Sequence, residues 1–395
     1  MKSFSFAVLW AAIVLFCVAG CDSAGGGSGK SAAQKTGSSA PAEKPVATQS
    51  QPTPTAVKPI GEVASDAKGE YTIAGSIYVW WMPAYYADTE GIFARHAEKQ
   101  GIKINFKPMD YIPSVEAYVA KDVDGVFCTN MEALDMPAAS GVDSTSLLIG
   151  DYSNGNDKWL ARAKSLSELK GTTVSLVELS VSEYLAVRAL EKGGFERSDV
   201  NFENVSDADV GTLFLANKDR KSIVTWNPIA SNVLASDTQV NSIFDSSMIP
   251  GEILDMLLVN TEVLEKDPRL GRALVGAWYE IMSLVNGGGE KAKAAKESMA
   301  KLSNCSLAEF EAQMATTAIY WTPNDAIQAA SSKELQEKMG YVRTFCFSKG
   351  LLGENAKSVD VVGIQYPDGT IQGDPNNVKL RFDTRFLSEL LKGDK

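Results

Sequence analysis

Short apolar runs of strand length alternate with longer amphipathic runs over most of residues 72–226, and this alternation restricts the chain to an α/β fold with a largely parallel sheet. Residues 72–79, 102–107, 124–128 and 144–150 read as strands. Helical runs at 85–100, 113–119 and about 131–138 separate them. A second series opens at Ser165 and Glu168, spaced as a capping box, and enters a strand at 172–177. Ser180 with Glu183 repeats that spacing ahead of a helix at 181–192, which Gly193-Gly194 stops. A strand at 200–203, a helix at 207–216 and a strand at 222–226 complete the series. Residues 255–260 read as a further strand, and from Glu262 onward most segments are helical, ending at 383–391.

The N-terminus is of another kind. Met1-Lys2 is a basic start, residues 4–19 are one apolar run, and Val18-Ala19-Gly20-Cys21 ends it in small residues and a cysteine. The run is long enough for export and marginal for a permanent span. The ending resembles the bacterial lipobox, which implies removal of residues 1–20 and lipidation of Cys21. Residues 21–69 form a tether rich in Gly, Ser, Ala, Pro, Thr, Lys and Gln, and from Asp22 to about Lys68 there is no aromatic residue. That composition buries too little apolar surface to order itself. Within it, Ala24-Gly25-Gly26-Gly27-Ser28-Gly29-Lys30-Ser31 mimics a phosphate-binding loop. No strand precedes it and no helix follows, so the backbone amides have nothing to aim them at a phosphate.

Composition removes several function classes. The chain carries 38 Lys+Arg against 49 Asp+Glu, net −11, with no basic run beyond the tether, which argues against nucleic acid. The sole histidine, His96, lies among charged residues of a helical run and reads as solvated. One histidine cannot build a multi-histidine metal site, and any nucleophile–histidine pair would have to use it. No cofactor is expected. Beyond Cys17 and Cys21, Cys128 sits in an apolar strand and reads as a small hydrophobe, while Cys305 and Cys346 are candidates for a disulfide.

Four stretches carry a resemblance: 76–83 with Trp80-Trp81; Thr129-Asn130-Met131-Glu132; 141–157 with Gly150-Asp151-Tyr152; and Thr225-Trp226-Asn227-Pro228 together with Ile249-Pro250-Gly251-Glu252. With the two α/β series and the helix-rich C-terminal third, the chain resembles bilobal (type II) solute-binding proteins of ABC importers, in the nitrate/sulfonate/taurine group. It is most similar to the urea-type branch associated with urea carboxylase, an enzyme type also linked to guanidine. The resemblance implies lobe one at 70–152 and 256–395, lobe two at 153–255, and a hinge where the chain crosses. It also implies a lipid-anchored monomer on the extracytoplasmic side of the cell envelope. Its partners would be a small-molecule solute, a permease and an ATPase subunit.

In such folds the ligand lies between the lobes at the carboxyl ends of strands. The loops there supply the candidate residues Trp80, Trp81, Tyr111, Asn130, Asp151, Glu178, Ser180, Trp226, Asn227, Glu252 and Asp255. Their surroundings are lopsided in charge. Residues 71–94, 172–187 and 222–260 contain no Lys or Arg, and 108–157 contains only Lys121. Carboxylates and indoles favour a neutral or cationic guest such as urea or guanidinium, because a buried anion wants Arg, Lys or helix N-terminal amides. Strand alternation predicts Trp80 in the cleft and Trp81 in the core. Asn130 and Ser180 also suit helix caps.

The reading is a non-enzymatic receptor that closes on a small nitrogenous solute. Its rivals are a nitrate- or sulfonate-type anion receptor, a sensory lipoprotein, and an enzyme resembling thiamine-pyrimidine synthases. Against the last, Phe345-Cys346-Phe347 offers one cysteine where that group has a dense motif.

Overall fold

The computed structural model describes residues 59–353 and 355–393. The expectations for the signal peptide, most of the tether and Cys21 lie outside the described residues. The end of the expected tether does not hang free: Ala64 N donates to Lys266 O (2.8 Å) and Lys68 Nζ reaches Asp124 Oδ1 (2.7 Å).

Fourteen strands fall into two sheets among the described residues. The chain begins with β1 (Glu70–Gly75), β2 (Lys103–Pro108), β3 (Gly125–Thr129) and β4 (Ser144–Ser153). It then builds a separate sheet from β5 (Lys158–Ala161), β6 (Thr173–Leu176), β7 (Asn201–Asn204), β8 (Ser222–Thr225) and β9 (Asn241–Asp245). Finally it returns with β10 (Leu254–Asn260), β11 (Thr317–Ile319), β12 (Gly363–Gln365), β13 (Ile371–Gln372) and β14 (Val378–Phe382). The orders are β13-β12-β14-β4-β10-β3-β1-β2, with β11 on β4, and β7-β6-β8-β5-β9. Each sheet with its helices is an α/β lobe.

The sheets are mixed rather than largely parallel. The returning β10 inserts antiparallel between β3 and β4, and β5 pairs antiparallel with both β8 and β9. The C-terminal third also holds four strands between its helices, where mostly helix was expected. These pieces run from two to five residues, too short to show a period of two.

Helices cover both faces of the larger sheet, so its central strands are buried on both sides and read as unbroken apolar runs. β3 is buried at all five positions, and the long helix Pro268–Asn286 lays Trp278 on its Phe127, 5.7 Å between ring centroids. Gly125 opens β3 because a Cβ there would come within 2.8 Å of the Leu258 carbonyl on β10. His96 is docked rather than solvated: its Nε2 lies 2.7 Å from Glu280 Oε2 on that same long helix. Cys128 is in the core, and Cys305 and Cys346 are free thiols, so the disulfide is not formed. Cys346 is spent as buried packing in the helix Lys333–Ser348.

Two segments, 154–157 and 246–253, join the sheets. They are tied side by side, because Ser153 Oγ bonds both Asp157 Oδ2 (2.5 Å) and Ser246 Oγ (2.7 Å). Among the described residues, no helix is long and apolar enough to cross a membrane.

Candidate functional site

The carboxyl ends of β1, β3 and β8 face one another across the space between the lobes, and a cavity of about 20 Å³ lies there. Ser76, Tyr78, Trp81, Tyr111, Thr129 and Asp255 line it from lobe one, and Val181 and Trp226 from lobe two. Asp157 and Ile253 reach it from the two crossings. A single water needs roughly 10–15 Å³ of such space, so only a guest of a few heavy atoms fits without the walls moving.

Its walls are aromatic. Strand β1 ends at Gly75, and the chain turns at 76–81 before the helix Met82–Thr89. Trp81 precedes that helix directly, meeting Tyr78 at 5.0 Å and Tyr111 at 5.3 Å between centroids. Tyr111 opens the helix Tyr111–Val119 and meets the edge of Trp226 at 6.2 Å. That contact joins the lobes over the cavity.

Its floor is acidic. Asp255 on β10 and Asp151 on β4 are direct cross-strand partners, 3% and 0% exposed, and each carboxyl bears on the other's hold on a proton. Burial, the largest cause, holds Asp255 up at about 8, with Asp157 and Glu132 adding repulsion. Burial and then the charge of Asp255 push Asp151 well above the usual carboxylate range. Asp157, also buried, is raised to about 6 even though Ser153 donates to it. No Lys or Arg lines the cavity. Groups so placed resist ionising because water is excluded and no positive charge answers them.

Lobe two's helix N-terminus at the cavity is already occupied by the protein's own carboxyl. Val181 begins the helix Val181–Gly193 of lobe two, and its N–H donates to Glu132 Oε1 of lobe one at 3.0 Å. The next amide, Ser182 N, is taken by Ser180 Oγ at 3.1 Å. Glu132 Oε2 accepts from Tyr111 Oη at 2.9 Å and from Thr129 Oγ1. A helix N-terminus attracts acceptors that carry negative charge; here the buried Glu132 side chain fills that place.

Of the sequence candidates, Trp81, Tyr111, Trp226 and Asp255 line the cavity, and Asp151 backs Asp255. The indoles at 80 and 81 exchange their expected roles. Trp80 is fully buried against Trp321 (5.3 Å), because the chain has left the strand before residue 80 and alternation no longer applies. Asn130 is no cap: Thr129 Oγ1 accepts from Met131 N. Asn130 instead pins the second crossing, donating to Glu252 O (3.1 Å) and accepting from Leu254 N (3.0 Å). Glu252 is committed to Arg188 Nε (2.8 Å), Arg188 Nη2 (3.1 Å) and Tyr184 Oη (2.5 Å), all on the lobe-two helix. Ser180 caps its helix, but Glu183 takes Leu179 N rather than closing a capping box. Glu178 and Asn227 stay outside the cavity lining: Glu178 N donates to Asn204 Oδ1, and Asn227 Oδ1 accepts from Ser231 N. Tyr78, Glu132 and Asp157 complete the site without having been singled out. Each sits in a stretch quoted above, and what betrays them is burial without basic partners, which spacing does not encode.

The sequence matches no family model and no curated protein. Solved structures do resemble it. The alkanesulfonate-binding protein SsuA from Xanthomonas axonopodis pv. citri, bound to MOPS, aligns with TM-score 0.59 at 14% identity over 73% of this chain and 96% of that one. A putative sulfonate-binding SsuA of an ABC transporter from Methylobacillus flagellatus aligns with TM-score 0.60 at 16% identity, over 83% and 95%. A cysteine-to-serine mutant of DszB, in complex with biphenyl-2-sulfinic acid, aligns with TM-score 0.53 at 13% identity, over 82% and 99%. The chain has the bilobal periplasmic-binding-protein fold.

Proposed function

We propose that this chain is the solute-binding component of an ABC importer, which closes two lobes around a small nitrogen-rich solute of the urea or guanidine type and presents it to a permease. The shared fold supports the receptor role, and the cavity at the lobe junction supports the class of guest. One observation carries the choice of guest: buried carboxyls with no Lys or Arg line the cavity, while Glu132 already holds the Val181 amide that an oxyanion would use. A planar guest with several N–H donors answers such a floor. Indole and phenol rings stack on it, and a carboxylate accepts its paired hydrogens. The SsuA proteins bind sulfonates, and an anion here would meet no Lys or Arg to balance its charge. Anchoring through Cys21 belongs to the same reading, and Cys21→Ser is expected to release the protein from the membrane fraction.

The test is a thermal-shift series on the full chain with guanidinium chloride, urea, taurine and nitrate, each at low millimolar concentration. Guanidinium or urea is expected to raise the melting temperature while taurine and nitrate leave it unchanged. Stabilisation by taurine or nitrate alone defeats the assignment.

A further inference from the structure

The Asp151–Asp255 pair is built in a way that simple cation binding does not require. Asp255 lines the cavity, but Asp151 lies behind it and touches no guest. Among the described residues, no donor reaches Asp151 Oδ1, Asp151 Oδ2 or Asp255 Oδ2. Beside the pair stands the Tyr78 hydroxyl, at Asp255, and among the described residues no cation, and two neighbouring carboxylates away from water cannot both stay ionised. We propose that this pair is a proton-exchange element: it holds one proton in the free protein and surrenders it when a guanidinium-type cation enters, so that capture of the cation releases a proton. This rests on the solute reading above and names which member of that class the site selects.

The balance is simple. A cation arrives beside Asp255, the O–H bond within the pair breaks, and the proton leaves to solvent, so the net charge of the closed site does not change. A neutral urea brings no charge and leaves the proton where it is. The surroundings agree with this exchange. Asp157 faces the pair from the first crossing, Tyr78 from the turn after β1, Glu132 and Cys128 from the β3 end, and Tyr320 from beyond β11. All are acidic or neutral. The basic neighbour, Lys158, acts on Asp157. Tyr78 Oη has no partner of its own and stands beside Asp255, available to the guest. With Asp255 held up at about 8, the free pair keeps its proton at neutral pH.

The sign follows. Guanidinium affinity rises about tenfold per pH unit while the free pair is protonated, and levels off once the free pair itself gives up the proton. Urea affinity stays flat over the same range.

Isothermal titration of the full chain with guanidinium chloride and with urea, in buffers of differing ionisation heat, reads the proton directly. Release of about one proton with guanidinium and none with urea is expected. In Asp151→Asn, an amide donates permanently to Asp255, so guanidinium is expected to bind with no proton release and no slope with pH. Guanidinium binding that ignores the buffer in the native chain overturns the exchange while leaving the receptor reading intact. Binding of an oxyanion in place of both guests overturns the receptor reading as well. The native chain alone decides the matter if the variant fails to fold.

Discussion

Glu132 Oε1 of lobe one accepts the Val181 N–H of lobe two at 3.0 Å, so a side chain of one lobe completes the helix end of the other. On the proposed reading this bond links closure to selectivity, since it joins the two lobes and fills a helix end that an oxyanion could otherwise use. Glu132→Ala removes a buried, charge-assisted acceptor and strands the Tyr111 and Thr129 hydroxyls. It is expected to cost about 2–4 kcal/mol of stability and to weaken guanidinium binding at least tenfold. It also frees the Val181 amide, so millimolar sulfate or an alkanesulfonate should gain measurable binding by titration calorimetry. Unchanged rejection of both anions would show that the helix end plays no part in specificity.

Trp226 projects from the end of β8 to the edge of Tyr111 and supplies lobe two's aromatic wall. Trp226→Ala is expected to weaken guanidinium binding by about tenfold, the scale of a desolvated cation–π contact. The residue is half-buried, so the melting temperature should fall by only a few degrees. Retained affinity in the folded variant would remove the indole from the site.

Stability should fall as pH rises. An unfolded aspartate loses its proton near pH 3.9, whereas Asp255 in the fold keeps it to about 8. The folded chain therefore binds more protons between those values. The stability this contributes is whole below about pH 4 and is lost as pH climbs through about 8, at up to about 1.4 kcal/mol per unit. Asp157, raised to about 6, steepens the lower half of that window. Melting of the ligand-free chain from pH 5 to 8 should show the decline, and Asp255→Asn should flatten it. A native melting temperature that climbs across this range contradicts the assignment of buried, protonated acids.

Arg188 reaches from the lobe-two helix to Glu252 in the second crossing, whose side chain is 4% exposed and also takes Tyr184 Oη. Arg188→Met leaves that carboxylate buried beside a lone phenol and should cost about 3–5 kcal/mol. The double variant Arg188→Met with Glu252→Met should recover much of the loss, since neither charge then remains. Equal loss in both variants would mean the pair contributes through packing alone.

Much of this was legible in the sequence, for reasons that particular residues make plain. The absence of Lys and Arg from three long segments, with Lys121 alone in a fourth, is a fact of composition, and it survives folding as a cavity without basic lining. Trp226 and Asp255 stand at strand ends, where alternation stops and side chains meet the opposite lobe. The failures are equally specific. The order of Trp80 and Trp81 depended on where β1 stops, and it stops at Gly75, where the pairing with β2 ends at Pro108. Asn130 looked like a cap, but its amide is claimed by a crossing more than a hundred residues away. β5 and β9 have four and five residues, and only pairing with one another and with β8 makes them strands. What sequence could not reach was set by distant partners.

Asp157 is the last residue before β5 and closes the first crossing, whereas Asp255 is the second residue of β10 and is held between β3 and β4, so on the proposed reading one of the two acids stands on a stretch that must twist for the halves to part. Sensor and joint thus meet at Asp157. Altering Asp157 to retune the preferred cargo is expected also to retune how readily the molecule gapes, whereas Asp255 sits in the sheet of one half and offers a place to change the first trait without the second.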